Sequence, residues 1–236
     1  MSTAARIIVG ASIFALLASV DLYRNRARAT RWREYLFLIL CVLAAIIYGI
    51  VNDQITSRIS WEYFYYAKEL DAVLGPTIPP DERALHAQAL LVGIKATWWV
   101  GLLIGAVMLI ANNPRRGRAR LSYWKLTQLL GVIFALAALC SALLGWAGYH
   151  GWLSNLSSGF HEWWEFDLIR PRQFFCVWGI HLGGYFGGLI GSSLIGIFTT
   201  TGPQIAGVNF LSFVGFVLSG ALGLWLLWGV LRSGRL

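Results

Sequence analysis

Charged residues are scarce in this 236-residue chain, since acidic and basic side chains together make up 13% of it. An average soluble domain is about 25% charged, so this composition excludes a water-soluble globule. The sequence also lacks the alternating polar and apolar segments that are typical of membrane β-barrels. Hydrophobic residues reach 57% and collect in long runs. We therefore expect residues 1–236 to form a single membrane domain with an all-α, polytopic helical-bundle fold.

Signatures of cofactor chemistry are missing as well. The chain has no phosphate-binding loop, no dinucleotide fingerprint and no nucleophile elbow. Its three cysteines, Cys41, Cys140 and Cys176, lie far apart within apolar runs, which favours buried thiols over a disulfide framework. We therefore expect no resident cofactor, and an enzyme is the less favoured functional class.

Apolar runs that approach the length of a transmembrane helix occur six times. The predicted spans lie near residues 5–21, 35–51, 87–111, 126–147, 174–198 and 209–231. The first is the shortest, and its length fits either a retained span or a cleaved signal segment. The outer loops between the spans are residues 52–86 and 148–173.

Two basic loops determine the predicted orientation. One follows the first span and the other follows the third span; their basic residues are Arg24, Arg26, Arg28, Arg31 and Arg33, and then Arg115, Arg116, Arg118, Arg120 and Lys125. Basic residues in short loops stay on the cytoplasmic side, so we expect both chain termini outside. The net charge of +8 then indicates contact with anionic lipid, not with nucleic acid.

The basic loops also contain similar heptapeptides, RARATRW at 26–32 and RARLSYW at 118–124. Each heptapeptide introduces a span, an outer loop and a returning span. Internal repeats of this kind are common in transporters, although chance similarity in arginine-rich sequence is the alternative.

Ionisable residues within the predicted spans indicate a site, because a charge at membrane depth is costly. Lys95 and His181 lie about one third of the way into their spans, and Asp53 and Glu62 are the expected partners of Lys95. With Gln54 and Trp98, they would form an outward-facing polar pocket. The alternatives are that Lys95 extends outward to the headgroups and that His181 is a neutral, hydrogen-bonded side chain within the bundle. The aromatic run WEYFYY at 61–66 is expected to lie in the interfacial aromatic belt.

Two further patterns suggest other roles. In HEWWE, residues 161–165, His161, Glu162 and Glu165 could hold a metal ion, but the zinc signature HExxH is not present. Glycine recurs at every fourth position, at Gly179, Gly183, Gly187 and Gly191. That stripe predicts close helix packing, either within the bundle or against a second copy or membrane partner.

The segments DQITSRISWEYF, residues 53–64, and ATWWVGLLIG, residues 96–105, resemble a group of uncharacterised bacterial multi-span proteins. The resemblance implies a polytopic protein of the bacterial inner (cytoplasmic) membrane and provides no reaction. It emphasises a set of positions in this chain: Asp53, Gln54, Thr56, Glu62, Tyr63, Phe64, Thr97, Trp98 and Trp99.

Three functional classes follow from these observations. The leading hypothesis is small-solute or ion/proton-coupled transport or binding through the outward-facing pocket. The second is a non-catalytic accessory or assembly subunit that uses the glycine stripe. The third is an outer-face metalloenzyme at residues 161–165.

Overall fold

The computed structural model describes residues 3–26, 29–112, 120–153 and 168–201, and within these ranges the chain is helical without strands. The long helices are α1 (Thr3–Asn25) and α2 (Arg31–Ile59), followed after the short α3 (Asp71–Leu74) by α4 (Glu82–Ala111), α5 (Tyr123–Tyr149) and α6 (Pro171–Thr201). All five long helices contain a segment long and apolar enough to cross a membrane. The predicted helical membrane bundle is therefore confirmed, while the predicted sixth span, 209–231, lies outside the described residues.

The second helix is longer than predicted. It continues to Ile59, beyond the expected end at residue 51, because the polar residues Asp53, Thr56 and Ser57 turn into the bundle and are buried. The Thr56 hydroxyl donates to the Asn52 carbonyl oxygen at 2.8 Å, so it is satisfied within the helix. The connection between α2 and α4, residues 60–81, is thus shorter than the predicted outer loop.

The long helices associate as two antiparallel hairpins, α2 with α4 and α5 with α6. In the first hairpin, a Cβ atom added at Gly93 would lie 2.7 Å from the Gly49 carbonyl carbon. In the second, a Cβ atom added at Gly187 would lie 2.6 Å from the Ala137 Cα, and one at Gly183 would overlap the Cys140 carbonyl oxygen. Backbones that approach this closely leave no room for a side chain, so glycine is what allows each hairpin to close.

The two hairpins have equivalent registers. Gly49 lies as many residues after Trp32 as Ser141 lies after Trp124, and both contact a glycine of the returning helix, Gly93 or Gly183. A second pair of contacts is equivalent in the same way. Cys41 lies as many residues after Trp32 as Ile133 lies after Trp124. Gly101 contacts Cys41, and Gly191 contacts Ile133. The heptapeptides that precede α2 and α5 therefore begin two structurally similar units, which favours an internal repeat over chance similarity.

Two apolar clusters lie at opposite ends of the bundle. One surrounds Met108 and Leu126 near the end of α4 and the start of α5. The other is the cap, which consists of Tyr63, Phe64, Leu70, Leu85, Ala89, Phe174 and Val177. Tyr63, Phe64 and Tyr65 are buried, so their predicted place in the aromatic belt is wrong. The connection packs back onto the starts of α4 and α6 and therefore buries these rings in protein.

Helix α1 packs beside α2, outside the two hairpins. Asp21 joins the two helices, since its Oδ2 accepts a hydrogen bond from the Trp32 amide at 3.1 Å. Much of the rest of α1 exposes apolar side chains, as expected for a helix that faces lipid.

Candidate functional site

A cavity of about 60 Å³ lies between the two hairpins, below the cap. Helices α2, α4, α5 and α6 all contribute to it. Apolar residues form most of the wall; the polar lining residues are Tyr48, Asn52, Asp53, Thr97, His181 and Tyr185. A cavity lined by ionisable residues within a membrane bundle is a candidate binding site.

Asp53 is the most unusual residue of this cavity. It is 3% exposed, and its Oδ1 accepts a hydrogen bond from Asn52 Nδ2 at 3.2 Å. The same Oδ1 lies 3.7 Å from Nε2 of His181. The buried Oδ2 receives no hydrogen bond from any residue that the structure describes. A buried carboxylate oxygen without a donor is costly, so Asp53 is poised to accept one.

His181 connects Asp53 to the cap. Its ring stacks on Tyr63 with 4.8 Å between ring centroids, and Phe64 meets it edge-on at 6.1 Å. The Thr56 hydroxyl lies 3.5 Å from Nε2. Two rings of the cap, Tyr63 and Phe64, therefore cover the Asp53–His181 pair. We call these two rings the roof.

Lys68, which sequence reasoning missed, also lies against the Tyr63 ring. Its Nζ stands 5.4 Å from the centroid of the Tyr63 ring, a cation–π arrangement. Burial lowers the pKa of Lys68, and attraction by Asp53 partly offsets that shift. Burial also raises the pKa of Tyr63 well above its usual range. The only available signal was a single lysine within the aromatic run WEYFYYAK.

Glu62 was predicted to line the pocket, but the structure gives it a different partner. It is 1% exposed; Oε1 accepts from the Ile169 amide at 2.6 Å and Oε2 from the Arg170 amide at 3.0 Å. These amides immediately precede α6, where a negative charge is favourable. Glu62 therefore fixes the start of α6, and with it the position of His181, without lining the cavity.

Lys95 lies on the exposed side of α4 and does not line the cavity. Among the described residues it forms no ion pair, so the predicted pairing with Asp53 or Glu62 is wrong. The reason is geometrical. Successive residues of a helix are about 100° apart, and Gly93 and Gly101 hold one face of α4 against α2, which turns Lys95 outward.

Gln54 and Trp98, the remaining predicted pocket residues, do not line the cavity either. The Gln54 side-chain amide donates to the His86 carbonyl oxygen at 2.8 Å and so ties α2 to α4. Trp98 is half-buried on α4. The segment ATWWVG instead contributes Ala96, Thr97 and Val100 to the cavity.

The other two sequence patterns have different outcomes. His161, Glu162 and Glu165 lie outside the described residues, so the metal hypothesis remains a prediction. Among the residues that are described, no group of three potential metal ligands occurs. The glycine stripe contacts α5 within the same chain at Gly179, Gly183 and Gly187. A partner that used this face would have to displace α5.

Comparison with known protein families matches a segment of the chain. A family model described as the ABC1/UbiB kinase-like C-terminal domain matches residues 185–232, which indicates a relationship limited to this segment. No curated protein and no solved structure matches the chain. The matched segment starts within α6 and contains no Asp, Glu, Lys or His. Phosphoryl transfer requires acidic magnesium ligands and basic phosphate contacts, so this segment alone carries no kinase site.

Proposed function

We propose that this protein binds a small solute in the cavity beside Asp53 and moves it across the membrane, with proton coupling through His181. The observation that supports this proposal most directly is that Asp53, a buried carboxylate whose Oδ2 has no hydrogen-bond donor among the described residues, lines a cavity between spanning helices. Ionisable residues within membrane helices commonly mark substrate, ion or proton pathways.

The arrangement of the hairpins supports transport over simple binding. The cavity lies between two units of similar register, each closed by glycine contacts. In many transporters, structural repeats move against each other around a site at their interface. The solute would enter from the cap side, which the basic loops predict to be the outside of a bacterial inner membrane.

His181 provides the proposed coupling. An imidazole changes its charge within the physiological pH range more readily than any other side chain. It stands between the roof residue Tyr63 and Asp53, so a proton on its ring would alter both the charge beside the solute and the contact with the cap. Glu62 would serve as the positioning residue that holds α6 in place.

A thermal-shift screen tests the proposal. The unfolding midpoint of the purified protein would be measured in detergent against a set of small cations, anions and neutral solutes. We expect at least one solute to raise the midpoint of the wild type and not that of Asp53→Asn, since bound ligand stabilises the folded state. Asp81→Asn, which changes an exposed carboxylate at the start of α4, is the matched control. Identical responses of wild type and Asp53→Asn to every solute would contradict the proposal.

A further inference from the structure

The charge of the cavity wall discriminates between classes of solute. Asp53 is the only carboxylate among the lining residues in the described part of the chain, and neither lysine nor arginine lines the cavity. Hydrogen-bond donors and cations stabilise a buried carboxylate, whereas a second anion in the same site is unfavourable. The wall beside Asp53 therefore favours a solute that is positively charged.

Two basic groups of the protein lie near Asp53 and could compete with such a solute. His181 faces Oδ1, and Lys68 lies against the Tyr63 ring. Neither donates a hydrogen bond to Oδ2. Oδ2 therefore lacks a hydrogen-bond donor among the described residues, and the basic groups near Asp53 are engaged with Oδ1 and with the Tyr63 ring.

The rest of the wall distinguishes an ammonium-type cation from a metal ion. Tyr48, Phe134 and Tyr185 contribute aromatic rings, and alanine, glycine, valine and isoleucine account for most other lining residues. Hard metal ions such as Ca²⁺ require six or more oxygen ligands, which a largely apolar wall does not supply. An ammonium group needs few acceptors and is attracted to aromatic faces.

The size of the cavity limits the solute that it can enclose. A volume of about 60 Å³ accommodates about four to six water-sized molecules at about 10–15 Å³ each. Ammonium and methylammonium fit within that space. Tetraethylammonium, with four ethyl groups, exceeds it.

We propose that the cavity is a site for a compact ammonium-type cation, with the Asp53 carboxylate as the principal acceptor. This inference rests on the proposed function and specifies its substrate class. The recognition elements are the Asp53 carboxylate, which selects the charge, the aromatic rings, which favour an organic cation over a metal ion, and the small cavity, which limits the length of the substituents.

Retention of ¹⁴C-methylammonium by the purified full-length protein tests the assignment, measured by scintillation proximity. We expect saturable retention by the wild type and by the exposed-carboxylate control Asp81→Asn, weaker retention by the charge-conserving Asp53→Glu, and at least a tenfold (about 1.4 kcal/mol) loss of affinity in Asp53→Asn. Competition on the wild type provides a second test that does not depend on folding of a variant. Ammonium should displace the label, and tetraethylammonium and formate should not.

Three results would overturn the assignment: no saturable retention by the wild type, equal retention by folded Asp53→Asn, or displacement of the label by formate. Displacement by potassium as effective as that by ammonium would contradict the need for N–H donors. The thermal-shift screen separates the two proposals. If methylammonium is not retained but a solute other than ammonium stabilises the protein through Asp53, the cation assignment is wrong and the binding site stands. If no solute acts through Asp53, both proposals are wrong.

Discussion

Nε2 of His181 lies 3.7 Å from Oδ1 of Asp53, and this contact joins α6 to α2 inside the membrane bundle. The two residues come from different hairpins, so a movement of one hairpin against the other would change their separation. Titratable groups at this depth are expensive to keep, and stability alone does not require this pair. The contact therefore lies at the interface between the two hairpins of similar register.

Lys68 should make stability depend on pH. Burial lowers its pKa in the folded protein, so between the folded and unfolded pKa values the unfolded chain binds more protons, and stability rises with pH. As pH rises toward the unfolded lysine pKa of about 10.4, the midpoint of the wild type should therefore increase relative to that of Lys68→Met. Lys125→Met, which removes an exposed lysine, is the control. The account would be contradicted if the midpoint of the wild type, measured relative to that of Lys68→Met, stayed constant or fell as pH rises.

Glu62 accepts two hydrogen bonds from the amides that precede α6, and we call this pair of bonds the Glu62 clamp. The clamp should contribute measurably to the thermal midpoint of unfolding. Glu62→Gln leaves a single side-chain oxygen to accept from the Ile169 and Arg170 amides, so one of the two loses its partner. A hydrogen bond to a charged group contributes about 1.5–3 kcal/mol, so we expect a lower thermal midpoint. The control is Glu69→Gln, which alters an exposed glutamate in the connection. Equal midpoints for Glu62→Gln and Glu69→Gln would show that the clamp contributes nothing.

The glycine contacts predict opposite effects for the same substitution at two positions. A Cβ atom at Gly183 would overlap the backbone of Cys140, whereas Gly131 has open space around it. Gly183→Ala should destabilise the α5–α6 hairpin by about 1–3 kcal/mol through overpacking. Gly131→Ala should be neutral or stabilising, by up to about 1 kcal/mol, because alanine is the better helix former. Thermal unfolding in detergent checks both, and the expected order of midpoints is Gly131→Ala above Gly183→Ala.

Much of the fold could be predicted from the sequence, because hydrophobic length and the spacing of glycines are local properties. The five described spans and the close packing at Gly183 follow from such patterns. The end of α2 could not, since the helix passes the predicted boundary only where Asp53 and Thr56 find a buried environment supplied by α6. Burial of Tyr63 and Phe64 also depends on tertiary packing, as aromatic residues at a membrane boundary suit either a headgroup layer or a protein cap.

The site was predicted in part. His181 was predicted because ionisable residues in spans are rare, and Asp53 was predicted as the partner of Lys95. The sequence alone does not show how a helix is rotated about its axis. Glycine contacts at Gly93 and Gly101 fix that rotation and turn Lys95 away from the cavity. The lysine near Asp53 is instead Lys68, which approaches from the connection.

Solute uptake into proteoliposomes by three proteins would test the central claim most directly. The solute is the one that most strongly stabilises the wild type through Asp53, and the proteins are wild type, Asp53→Asn and Lys95→Met, each verified as folded by size-exclusion chromatography. The account predicts that Asp53→Asn abolishes uptake and that Lys95→Met retains the wild-type rate, because Lys95 does not line the cavity. Uptake that survives Asp53→Asn, or that is lost in Lys95→Met, would contradict it.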